Sequence, residues 1–124
     1  MNGDAPLVAV IDDDPSVQRA LLRLLRVEGF RAGAFSSADE FLDAFPGSGF
    51  ACLILDIHLG GMSGLDLMER LKELGSRVPV IIITAHDDES AEERAVRGGA
   101  SAFLRKPVEA QVLFDAIRRA IAGA

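Results

Sequence analysis

CLILD, residues 52–56, is apolar at four consecutive positions and then ends on an acid. A strand covered on one face alternates, whereas a run apolar throughout belongs to the centre of a parallel sheet covered on both faces. VIII at 80–83 reads the same way. Working outward, LVAVI at 7–11, the alternating FRAGAF at 30–35 and SAFL at 101–104 supply three more short strands.

Helical patterns lie between and after these runs. The first opens with Asp14 as N-cap and Pro15 at the first helical position, buries Leu21, Leu22, Leu24 and Leu25, and stops at Gly29. Ser37-Ala38-Asp39-Glu40 has capping-box spacing and starts a second, which carries Phe41, Leu42 and Phe45 up to Pro46 and Gly47. A third, over 63–74, places Leu65, Met68, Leu71 and Leu74 on one face. The last runs from Glu109, with Val112, Leu113, Ala116, Ile117, Ala120 and Ile121 facing inward. The fourth, from Asp87, offers only Ala91, Ala95 and Val96 for burial, and is expected to be the most weakly held.

Strand starts lie 21 to 28 residues apart with a helix in each interval, which demands right-handed crossovers and a parallel sheet. Five such units could order themselves several ways; the commonest small solution, and the expected fold, is α/β, a five-stranded parallel doubly wound sheet of order 2-1-3-4-5 with five helices. In that order the ligand crevice lies outside the carboxyl ends of strands 1 and 3.

Composition narrows the function. The chain has 124 residues, 49% of them hydrophobic and 26% charged, which suits one globular domain. Cys52 is the single cysteine and sits in an apolar run, so disulfide frameworks and cysteine-pair zinc sites are excluded and a cytoplasmic location is the expectation. No apolar run approaches the ~20 residues needed to span a bilayer, so no membrane association is expected. A net charge of −6 argues against direct nucleic-acid binding by this domain.

The strand ends carry the chemistry. Strand 1 runs into Asp12-Asp13-Asp14 and strand 3 ends at Asp56; with Asp14 spent on the helix cap, three carboxylates converge on the crevice. At about 6 Å and an effective dielectric of about 20, each pair of carboxylates repels by roughly 3 kcal/mol, a repulsion that a cation usually relieves. All-oxygen ligands on rigid strand ends suit Mg²⁺, which takes one or two carboxylates, waters and phosphate oxygens. Thr84 at the end of strand 4 and Lys106 after strand 5 add a hydroxyl and an ammonium. Three acids, a divalent cation and a lysine sum to neutrality, so a carboxylate can attack phosphorus without repelling its donor. Asp56, alone on the central strand, is the candidate nucleophile.

VIDDD, LILDIHLGGMSGLDL, IIITAHDD and FLRKP, in this order and spacing over 8–122, resemble the receiver domains of two-component response regulators, with the CheY-like (flavodoxin-like) fold. GFRAGAFSSADEFL and TAH look most like the FixJ-type subgroup. The resemblance implies a single receiver domain over 1–124, with Asp56 as phosphoacceptor. It also implies Mg²⁺ bound by Asp13, by Asp12 partly through water, by Asp56 and by the backbone carbonyl of His58. Thr84 and Lys106 would hold the phosphoryl group, and Phe103 would swing inward with Thr84. A sensor histidine kinase or histidine phosphotransfer protein would be the phosphate donor, and the protein would catalyse only its own phosphorylation and dephosphorylation. The surface of helix 4, strand 5 and helix 5 would be read by a partner or a second copy, with Glu92, Glu93, Arg94, Arg97, Arg118 and Arg119 available for pairing across a two-fold axis. FixJ-type chains usually continue into a helix-turn-helix, which these residues do not contain; the expectation is a single-domain regulator or the receiver part of a longer chain. One departure is Gly60, followed by Gly61, where the family commonly has proline; two glycines give that loop more conformational entropy.

Other readings are weaker. A flavodoxin-like carrier needs a Ser/Thr/Gly phosphate loop and flavin-flanking aromatics, but the loop here is DDDPS and Trp and Tyr are absent. A haloacid-dehalogenase phosphatase places its nucleophile on the first strand. A degenerate receiver that only binds proteins is the alternative within the same family. His58 and His86 read as residues at the mouth of the site that modulate access, and Cys52 as core.

Overall fold

The computed structural model describes residues 5–85 and 89–123. His86 and the expected start of the fourth helix at Asp87 lie outside these residues. Strands and helices alternate: β1 (Leu7–Ile11), α1 (Pro15–Val27), β2 (Arg31–Phe35), α2 (Ala38–Ala44), β3 (Cys52–Asp56), α3 (Gly64–Glu73), β4 (Val80–Thr84), α4 (Glu89–Arg97), β5 (Ala102–Arg105) and α5 (Ala110–Ala122). The five strands form one sheet in the order β2-β1-β3-β4-β5, parallel throughout.

The pleat divides the interior in two. Ala9, Ile11, Leu53, Leu55 and Ile82 meet Phe41 of α2, Leu65 and Met68 of α3, and Ala91 and Ala95 of α4. Val8, Val10, Ile54, Ile81 and Ile83 meet Leu25 of α1 and Leu113, Phe114 and Ile117 of α5. Strands β3 and β4 are buried at every position, as their unbroken apolar runs require.

Helix starts follow the expected chemistry. The Asp14 carboxylate accepts from Ser16 N–H at 2.9 Å, Ser37 Oγ from Glu40 N–H at 3.1 Å and Ser63 Oγ from Asp66 N–H at 3.1 Å. Those two bonds from Ser16, one through its hydroxyl at 2.7 Å, hold the Asp14 carboxyl below the usual carboxylate range.

Three apolar positions depart from expectation. Val96 is 66% exposed, Val112 45% and Leu74 52%. Ala91 and Ala95 are four residues apart and share the buried stripe of α4, so Val96 lies a further ~100° around the helix. Val112 likewise precedes the stripe of Leu113, Ile117 and Ala120, and Leu74 is the C-cap of α3 rather than a member of its face. Phe114, not singled out from the sequence, is buried beside Phe30 with ring centroids 6.4 Å apart.

Charge also holds α4, which corrects the expectation that three small apolar residues are its only anchors. Arg94 Nη2 lies 2.8 Å from Asp66 Oδ1 and 2.8 Å from Glu69 Oε1, both on α3. Arg105 reaches Glu92 at 3.4 Å, and Arg118 pairs with Glu28 and lies over the rings of Phe30 and Phe114. Arg94, Glu92 and Arg118 are therefore engaged in ion pairs within the chain.

Candidate functional site

The acidic turn after β1 and the end of β3 are brought together by strand order alone, since β1 and β3 are neighbours in register from Val8 opposite Cys52 to Ile11 opposite Leu55. Ligand oxygens of Asp12, Asp13 and Asp56 all lie within 4.8 Å of one another. Asp12 is fully buried, Asp56 is 5% exposed and Asp13 faces solvent. Lys106 Nζ reaches between the two buried acids, 2.9 Å from Asp12 Oδ2 and 3.4 Å from Asp56 Oδ2. The second Asp12 oxygen accepts Asp14 N–H at 2.9 Å, and Asp56 Oδ1 accepts His58 N–H at 3.2 Å.

Lys106 is delivered by β5: its own N–H donates to the Thr84 carbonyl at 2.8 Å, continuing the β4 to β5 ladder past Thr84 opposite Arg105. Thr84 itself is 1% exposed. It shares a sheet face with Ile82, and Ile82 pairs with Phe103, so Thr84 and Phe103 lie on the α2–α4 side of the sheet. Phe103 is half-buried, with the Arg105 guanidinium 5.8 Å from its ring centroid.

The loop leaving Asp56 is tightly folded. Gly64 N–H donates to the Ile57 carbonyl at 2.9 Å, bringing the start of α3 against the end of β3. A Cβ on Gly64 would lie 2.2 Å from the Asp56 carbonyl oxygen, so only glycine fits. Gly61 has φ +83°, a conformation that favours glycine, whereas Gly60 needs no such freedom.

Electrostatics single out Asp56. Burial pushes its carboxyl above the usual range and the Asp12 charge adds to this, while the Lys106 ammonium opposes them. For Lys106, burial acts downward, but its bonds to Asp12 and the Asp56 charge outweigh it and hold the ammonium above its ordinary value. A carboxylate whose folded value is raised contributes stability when protonated, and loses it as pH rises through that value. At pH 7 in a chelator, Asp56→Asn is therefore expected to melt higher than the parent, with the gap closing as pH falls. Differential scanning calorimetry from pH 7 downward checks both the sign and the trend.

The donor set fits a hard divalent cation: the acids offer oxygens only, on two rigid strand ends, and Lys106 occupies just one oxygen of each buried carboxylate. Cys52 is not part of the site; it is buried in β3, where desolvation pushes its thiol up to about 12.

The doubly wound sheet with acids at its switch point defines the CheY-like class of α/β proteins. Within that class, residues 8–118 match the family model for the response regulator receiver domain, and the chain belongs to that family. It is 40% identical over 121 residues to the response regulator protein TodT of Pseudomonas putida, covering 98% of this chain and 53% of that protein. It is 39% identical over 114 residues to the transcriptional regulatory protein FixJ of Bradyrhizobium diazoefficiens, covering 92% of this chain and 56% of FixJ. Among solved structures, FixJ-N superposes with a TM-score of 0.91 at 32% identity over 98% of this chain and 97% of that one. The response regulator StyR superposes at 0.88 and 42% identity, over 95% of this chain and 60% of that one. The chain spans about half the length of the curated relatives it matches. No described helix is long and apolar enough to cross a membrane.

Proposed function

We propose that this receiver domain is a Mg²⁺-dependent phosphoacceptor switch, with Asp56 taking a phosphoryl group from a sensor histidine kinase or a histidine phosphotransfer protein in the cytoplasm. The observation that carries this reading is the convergence of Asp12, Asp13 and Asp56 within 4.8 Å around a lysine that bonds two of them. Asp12, Asp13, Asp56 and the carbonyl of His58 would hold the cation, which when bound supplies positive charge to the phosphoryl oxygens.

The chain's own residues do the rest. A deprotonated Asp56 oxygen attacks phosphorus in line, the bond from phosphorus to the donor's imidazole nitrogen breaks, and its electron pair leaves on that nitrogen. The product is an acyl phosphate on Asp56. Lys106 transfers its bond from the Asp56 carboxylate to a phosphoryl oxygen, and the Thr84 hydroxyl donates to another. The same groups would admit water for slow self-catalysed dephosphorylation. An intact-mass measurement after incubation with acetyl phosphate tests the reading: one phosphoryl group is gained per chain with Mg²⁺ and none in a chelator. No gain in either condition would favour a degenerate receiver acting only as a protein-binding module.

Movement of Thr84 towards the phosphoryl group would open space for Phe103 on the same side of the sheet. The change then passes to α4, β5 and α5, the surface offered to an output partner or to a phosphorylation-dependent second copy. Because Arg94 ties α4 to α3, the shift must loosen its pairs with Asp66 and Glu69. Hydrogen exchange with beryllofluoride as phosphoryl mimic is expected to change over residues 89–105 and to leave α2 as it was; a change confined to α1 and α2 would refute this route.

A further inference from the structure

One polar side chain of α1 turns towards the sheet. Gln18 is half-buried, and the two N–H groups of its amide are shared among the carbonyl oxygen of Asp12, that of Phe35 at 3.3 Å and Ser36 Oγ at 3.1 Å. Carbonyl oxygens only accept, so the NH₂ end of the amide must face them. The Phe35 carbonyl also accepts Asp12 N–H at 3.1 Å. Asp12 is thus held at its nitrogen by the end of β2 and at its oxygen by α1.

The oxygen that Gln18 holds belongs to the peptide joining Asp12 to Asp13. That unit is planar, so fixing its oxygen also fixes the direction in which the chain enters Asp13. Asp13 needs this, because its carboxylate has no hydrogen bond of its own among the described residues and faces solvent. We propose that Gln18 is a positioning residue for the cation site, setting the Asp12–Asp13 peptide so that both carboxylates meet Asp56. This role rests on the Mg²⁺ reading given above. Groups that orient metal ligands from behind commonly change affinity by 10–100-fold when removed.

The test is a calorimetric Mg²⁺ titration of the parent, Gln18→Met and Gln18→Glu, each also melted in a chelator. Gln18→Met keeps the length and loses the donors, and is expected to weaken Mg²⁺ binding about tenfold. Gln18→Glu is expected to weaken it further, because a carboxylate would face two carbonyl oxygens. At saturating Mg²⁺, phosphate uptake from acetyl phosphate by Gln18→Met should return to the parent rate. If both variants bind Mg²⁺ as tightly as the parent and only melt lower, Gln18 is a tie between helix and sheet and the proposal is overturned. If the parent itself takes up no Mg²⁺, the metal reading fails first and this role falls with it.

Discussion

Asp56→Asn takes up no phosphate from acetyl phosphate in the presence of Mg²⁺, under conditions where the parent gains one phosphoryl group on the intact chain. The carboxamide keeps the shape of the side chain and its position on β3, but its nitrogen has no lone pair fit to attack and its oxygen is a poor nucleophile. Asp12 is the poorer acceptor by degree: it is 0% exposed against 5% for Asp56, Lys106 holds it at 2.9 Å against 3.4 Å, and Asp14 N–H holds its other oxygen at 2.9 Å against 3.2 Å for His58 N–H on Asp56. Asp13 is exposed but lies at the turn rather than on the central strand. Lys106→Ala gives the graded companion result: removing one preorganised donor slows uptake about 100-fold, with Asp56 still the acceptor. A stable phosphoryl group on Asp56→Asn would overturn the assignment.

Gly64→Ala is expected to produce the largest loss of stability from a single added methyl group. The new Cβ would lie 2.2 Å from the Asp56 carbonyl oxygen and 3.0 Å from Ile57 Cα, both backbone atoms of the segment leaving β3. A side chain could rotate away from such a contact; this backbone can yield only by pulling α3 from the sheet. Overpacking of a tight site costs about 1–3 kcal/mol, and with backbone as the obstacle the upper end applies, lowering the melting temperature by about 10 °C. Gly60→Ala is the contrast. It meets nothing within 4 Å and has no positive φ, so it should leave the melting temperature unchanged or raise it slightly. Thermal melts of both variants in the same buffer decide the matter.

The position of every strand was legible to within one residue, because the burial that makes CLIL and VIII apolar at each position also makes them stand out. Parallel pairing with right-handed crossovers follows from the spacing of five strands with helices between them, while the order β2-β1-β3-β4-β5 is the commonest of the several orders that spacing allows. The acids at the ends of β1 and β3 were visible for the opposite reason, as charged residues at positions where the fold brings charges together. What escaped was contact whose partner is backbone. Nothing in the letter Q at position 18 points to carbonyl oxygens of Asp12 and, 17 residues away, Phe35. Nor does a glycine three residues after another announce that it faces Asp56. The hold on α4 is hidden for a related reason: its apolar residues are few, while the reach of Arg94 across to Asp66 and Glu69 depends on how two helices lie side by side.

The chain contains neither Trp nor Tyr, so its opening gives little signal in the usual optical assays. Cys52 makes up for this. It is the only thiol, it sits at 0% exposure on the middle strand, and its raised proton affinity leaves almost no thiolate at neutral pH. A thiol reagent can reach it only when the sheet comes apart. The rate of labelling at Cys52 is then a clock for rupture of the central strand, able to report how much longer the domain stays closed once Mg²⁺ or a phosphoryl group is bound.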